Sequence, residues 1–223
     1  MRKLAKLYCL DEYHDDNAPW VILMHGFGAD AGDLEPLKNH IPTQKKMNWL
    51  FPHGFLNVPI GPGWTGKAWW HIEPRTLETD ISIQKPEGLV KAREEMMALI
   101  ADLKVPWNKI ILGGFSQGAM IAVDLYMNAP ETPAGLIVLS GTLLNKQELK
   151  PQIENRRGEK FFISHGEHDT VLPVRGARQL ESFLNQGGMK GGLVQFPGGH
   201  EIPPQVLQKV GVYLDQQITA KSL

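Results

Sequence analysis

A chain of 223 residues, 42% hydrophobic and 21% charged, has the composition of an ordinary soluble globular protein. It is long enough to bury a core without a disulfide or metal staple, and its single cysteine, Cys9, allows no internal disulfide. With 23 basic and 24 acidic side chains the formal net charge is −1, so no basic excess favours nucleic acid or an anionic membrane surface.

After Met1-Arg2-Lys3 the apolar stretch is broken by Lys6 and then by Asp11 and Glu12, too soon for a signal-peptide core. No apolar run is long enough to span a bilayer, and a cytoplasmic location is expected. Without repeats, low-complexity tracts or linkers, residues 1–223 read as one domain, as a monomer or homodimer.

In chain order, residues 4–10 read as an edge strand. Trp20–Met24 is a continuous apolar run of the kind that suits a strand covered on both faces. Residues 49–51 form a short strand candidate. Pro86 stands where a helix would place a first-position proline, and Leu89, Met96, Ile100 and Leu103 share one face before Pro106 stops the run. Strands are then expected at 110–112, 136–139, 161–163 and 193–196, and helices at 116–128, 174–186 and 204–218. Steady alternation of this kind defines an α/β protein, with a mostly parallel central sheet and helices on both faces. Its chemistry belongs on loops beyond the carboxyl ends of the strands.

One such loop carries Gly114-Phe115-Ser116-Gln117-Gly118, the G-x-S-x-G nucleophile elbow of the α/β-hydrolase fold, between a predicted strand and a predicted helix. A turn this sharp juts the serine out at the sheet edge, and side chains two residues to either side would collide. In this fold the acid and then the base follow the nucleophile. Asp169 lies just past the 161–163 strand. Glu167 is its rival two residues away, while Asp124 sits about 12 Å along the helix from Ser116, too far to serve. His165 and His168 lack the further ligands of a metal site, so no metal or other cofactor is implied. Of the eight histidines, His200 alone is both last in order and in a loop beyond a strand end; His25 reads as a structural brace beside Gly26. An oxyanion would need backbone donors. Gln117 supplies one, and the loop His25-Gly26-Phe27-Gly28-Ala29-Asp30 suits the other.

These segments, with residues 165–173 and Gly199-His200-Glu201-Ile202, resemble the phospholipase/carboxylesterase family over about residues 19 to 215. The resemblance implies a Ser116–Asp169–His200 triad and an oxyanion hole of the Phe27 and Gln117 backbone N–H groups. Phe27 stands where the family usually has leucine. The Trp69-Trp70-His71-Ile72 segment is similar to the family's substrate-facing loop, and Val171 and Leu172, directly after the acid, are expected beside the acyl group. Plain core packing is the other reading of the two tryptophans.

The sequence thus points to a carboxylesterase acting on small acyl esters of short to medium chain. An acyl-protein thioesterase or lysophospholipase is the alternative with the same triad, and a non-catalytic binding module is the alternative of another class. No large lid is expected. The interval 141–159 is short and must dock Leu143, Leu144, Leu149 and Ile153, and the prolines and glycines of residues 53–80 suit a fixed wall as readily as a gate.

Overall fold

The computed structural model describes residues 1–72 and 81–220. Two short strands open the chain, β1 (Arg2–Leu4) and β2 (Leu7–Glu12), joined at Ala5, whose φ is 49°. The single edge strand expected at 4–10 is therefore a hairpin. There follow β3 (Trp20–Met24), a one-turn helix α1 (Ala31–Leu34), β4 (Asn48–Pro52), and a second hairpin of β5 (Leu56–Gly61) and β6 (Trp64–Ala68). The alternating half comprises α2 (Leu89–Leu103), β7 (Ile110–Phe115), α3 (Gln117–Asn128), β8 (Gly135–Leu139), α4 (Lys146–Leu149), β9 (Lys160–Gly166), α5 (Val174–Gln186), β10 (Lys190–Phe196) and α6 (Pro204–Ala220).

Eight strands form the central sheet in the order β1-β2-β4-β3-β7-β8-β9-β10, parallel from β4 to β10 and antiparallel at the β1 and β2 edge. The apolar runs read from the sequence are continuous because both faces of these strands are covered. Ile22, Met24, Leu112, Val138 and Ile163 point into a core shared with α2, α3 and α5. Their neighbours Val21, Leu23, Ile111, Ile137 and Phe162 point into a second core under α1 and α6.

Helix α2 begins three residues later than Pro86 suggests. Gly88 takes φ 93°, which a continuing helix cannot accommodate, and the Leu89 N–H donates to the Pro86 carbonyl at 3.1 Å. Between β8 and β9, α4 and a single turn at Ile153–Arg156 lie down on the body, with Leu143, Leu144, Leu149 and Ile153 all buried. The Arg156 guanidinium donates to the carbonyls of Tyr126, Met127 and Ala129, satisfying the last turn of α3. This interval is part of the core, and among the described residues there is no large lid. Of the 53–80 stretch, residues 73–80 lie outside the described residues. Among the described residues no helix is long and apolar enough to cross a membrane.

Candidate active site

Strand β3 has β4 on one side and β7 on the other, so the chain departs in opposite directions from this pair and leaves a crevice at their carboxyl ends. Ser116 stands there, between β7 and α3. Its φ of 55° and ψ of −118° are strained for an L residue. Three bonds hold it in place: its N–H donates to the Leu139 carbonyl at 2.9 Å, and its own carbonyl accepts from Ala119 and Met120 at 3.0 and 3.1 Å. A Cβ at Gly114 would come within 2.4 Å of the Gly118 backbone, and one at Gly118 within 1.9 Å of the Met24 carbonyl oxygen. The two glycines are thus required by close approach of backbone, as the motif implies. The amino end of α3 lies directly behind the serine and favours negative charge there.

Asp169 and His200 come from the ends of β9 and β10. Their loops are laced together: the Glu167 N–H donates to the Phe196 carbonyl and the His168 N–H to the Gly198 carbonyl, each at 2.9 Å. This brings His200 Nδ1 to 2.6 Å from Asp169 Oδ2. The other carboxylate oxygen accepts from the N–H groups of Val171 and Leu172, both at 2.8 Å. Asp169 is buried whereas Glu167 and His168 face solvent, so the geometry separates the two acid candidates. The His200 ring packs against Phe115 with centroids 4.7 Å apart.

His165, weighed in the sequence only as a metal ligand, is fully buried, with Nε2 2.7 Å from the Leu172 carbonyl and 3.2 Å from Asp169 Oδ2. Burial pushes its imidazole below the ordinary histidine range, and Nε2, which faces only acceptors, is the nitrogen that donates. The signal for this role was available as the spacing of His165 and Asp169, four residues apart across the strand end. Asp124 is on α3, 3.5 Å from Arg93 and away from His200, with burial raising its carboxyl to about 6.

The loop after β3 is braced from both sides. His25 is buried, its Nδ1 donating to the Gly26 carbonyl at 2.7 Å and its Nε2 accepting from the Gly54 N–H at 2.8 Å. Burial lowers its pKa, which suits the neutral ring that these bonds require. Strand β6 pairs with the same loop, Gly28 N–H to the Lys67 carbonyl at 2.8 Å and Lys67 N–H to the Ala29 carbonyl at 2.9 Å. Among the described residues nothing accepts from the Phe27 N–H. Gln117 is the first residue of α3, so its N–H has no partner within the helix.

Ser116, His200, Phe27 and Gln117 border one cavity of about 1000 Å³. Its walls are mainly apolar, with Trp69 and Trp70 buried behind one side and Val171 and Leu172 on another. Lys85, Glu87 and Lys91 supply the charge at its margin. The cavity thus collects all nine residues singled out in the sequence except Asp169, which reaches it through His200.

This sheet, with a strained serine at the crevice between β3 and β7, defines an α/β-hydrolase fold. The chain belongs to the phospholipase/carboxylesterase family, whose model matches residues 10–218. It is 26% identical over 177 residues to acyl-protein thioesterase 1 of Cryptococcus neoformans var. neoformans serotype D, covering 76% of this chain and 74% of that protein. It is 27% identical over 214 residues to a probable carboxylesterase of Oryza sativa subsp. japonica, covering 92% and 79%. Among solved structures, esterase PE8 superposes with a TM-score of 0.80 at 26% identity, covering 95% of this chain and 99% of that one. The Bacillus cereus carboxylesterase, with a TM-score of 0.75 and 18% identity over 96% and 95% of the two chains, shares the fold.

Proposed function

We propose that the protein is a serine carboxylesterase that hydrolyses acyl esters of short to medium chain through an acyl-enzyme. In this reading Ser116 Oγ attacks the ester carbonyl and His200 takes its proton through Nε2. Asp169 holds the opposite ring nitrogen and stabilises the imidazolium. The N–H groups of Phe27 and Gln117 receive the oxyanion. His200 then protonates the departing alcohol, and water releases the acid by the same steps in reverse. The observation that carries the reading is the 2.6 Å bond from His200 to a buried Asp169, made beside the cavity into which the strained Ser116 is turned. The chain's own residues supply every step, so the mechanism calls on no cofactor.

The cavity volume lies at the upper end for small-molecule sites and its apolar walls suit an acyl chain, with Val171 and Leu172 beside it. A thioesterase reading is favoured by one observation, the relatives named acyl-protein thioesterase 1. The test is a series of p-nitrophenyl esters from acetate to laurate with matched thioesters, assayed on the protein and on Ser116→Ala. Ester turnover that depends on Ser116 and peaks below about ten acyl carbons supports the proposal. Higher kcat/KM on every thioester would replace it by the second reading, and no turnover of either would overturn both.

A further inference from the structure

The two backbone donors assigned to the oxyanion come from opposite halves of the sequence, one after β3 and the other after β7. Their separation and aim matter at the scale of tenths of an ångström. The Gln117 side chain is wholly buried, yet neither of its polar atoms is directed at the cavity for use by substrate. Oε1 accepts from the Trp69 N–H at 3.0 Å, and Nε2 donates to the Trp70 carbonyl at 2.9 Å. The amide therefore grips the 69–70 backbone at two points.

Trp69 carries the connection onward. Its indole N–H donates to the His25 carbonyl at 2.9 Å, and its ring lies over the His25 imidazole with centroids 5.3 Å apart. His25 in turn bonds the Gly26 carbonyl, one residue before Phe27. Gln117, Trp69 and His25 are all fully buried, so each of these bonds is made away from water, where it is strongest and most costly to lose. An apolar side chain at position 117 would need no such partners. The amide makes a continuous path from the helix that presents one donor to the loop that presents the other.

We infer that the Gln117 side chain and the Trp69 indole are positioning residues that set the spacing of the two oxyanion donors. Trp69 thereby acts through its N–H as a strut, in addition to bordering the cavity. The inference rests on the serine-hydrolase reading of the site and goes beyond it.

The test uses Gln117→Met, which keeps the backbone donor and side-chain length, and Trp69→Phe, which removes the indole N–H. Three quantities are read with a butyrate ester: kcat, KM, and the Ki of a trifluoromethyl ketone bearing the same acyl group. Ser116 Oγ adds to that ketone carbon, the serine proton passes to His200, and the carbonyl oxygen becomes an oxyanion held by the two donors. Deleting one donor outright costs about 10²–10³ in rate, so misplacing one is expected to lower kcat by roughly 10- to 100-fold in each variant. Ki should weaken by the same factor, while KM moves by less than about threefold. A merely structural role would lower the melting temperature and leave kcat and Ki unchanged in the folded variant; that result overturns the inference. Should Gln117→Met not fold, Trp69→Phe decides on the same three quantities. Fluorophosphonate labelling of the parent separates the two levels: labelled Ser116 with unchanged variants sinks the strut alone, and an unlabelled parent sinks the hydrolase reading with it.

Discussion

Asp169 Oδ2 stands 2.6 Å from Nδ1 of His200 and 3.2 Å from Nε2 of His165, so a single carboxylate oxygen is held between two imidazoles. The inner imidazole is fully buried and donates from a fixed position; the outer one borders the cavity. With the N–H groups of Val171 and Leu172 on the other oxygen, the carboxylate has little freedom to turn.

Asp169→Asn presents an amide where His200 needs an acceptor. The expected loss is on the order of 10⁴ in kcat, through the wrong imidazole tautomer. Glu167→Gln, on an exposed side chain, is expected to stay within about twofold. Steady-state kinetics on the two variants checks the assignment, and a severe Glu167→Gln beside a mild Asp169→Asn would reverse it.

Asp124 gives a pH-dependent stability. Burial raises its carboxyl to about 6 from an ordinary 3.8, against the opposing pull of Arg93. The folded protein therefore holds this proton more tightly than the unfolded chain. The associated stability is complete below pH 3.8 and is lost as pH rises through about 6. Asp124→Asn removes the titration, so its melting temperature relative to the parent should climb between pH 4 and pH 7. A flat difference across that range would mean that Arg93 keeps the carboxylate ionised throughout.

Tyr213 on α6 tests the packing alone. Its hydroxyl accepts from the Leu136 N–H at 2.9 Å and donates to the Lys160 carbonyl at 3.0 Å, bridging β8 and β9 at the edge away from the site. Tyr213→Phe strands both groups and is expected to cost about 1–3 kcal/mol with kcat unchanged. Urea unfolding and the esterase assay together decide, and a loss of kcat without a loss of stability would contradict this placement.

The two sides of the cavity should respond differently. Val171 is 49% exposed and Trp70 only 3%. Val171→Ala is expected to move the preferred ester toward longer chains while the melting temperature barely shifts. Trp70→Ala opens the cavity too, at a cost of about 3–5 kcal/mol for removing a buried aromatic. A chain-length profile that ignores Val171 would remove that residue from the acyl wall.

Much of this was legible in the sequence because the sheet is buried on both faces. Runs such as Trp20–Met24 have no polar side to hide them, and the elbow motif marked the edge where the chemistry should lie. The β5–β6 hairpin was not legible. It is a two-stranded sheet of its own with Val58 and Ala68 as its only buried apolar side chains, so no alternation betrays it, and Pro59 and Gly61 read as loop. The start of α2 was misplaced because Pro86 is a good first helical residue, whereas the left-handed Gly88 that overrides it shows itself only in the fold. The bonds of the Gln117 side chain were not legible, since both partners are backbone atoms of a distant segment, whereas the pairing of His165 with Asp169 shows in their spacing.

The measurement that bears most directly on the central claim is mass mapping of a fluorophosphonate adduct. One adduct per chain is expected, on the peptide that carries Ser116, absent from Ser116→Ala. That variant should also lose turnover by a factor of roughly 10⁶. An adduct on another residue, or a Ser116→Ala protein that still hydrolyses esters at the parental rate, would contradict it.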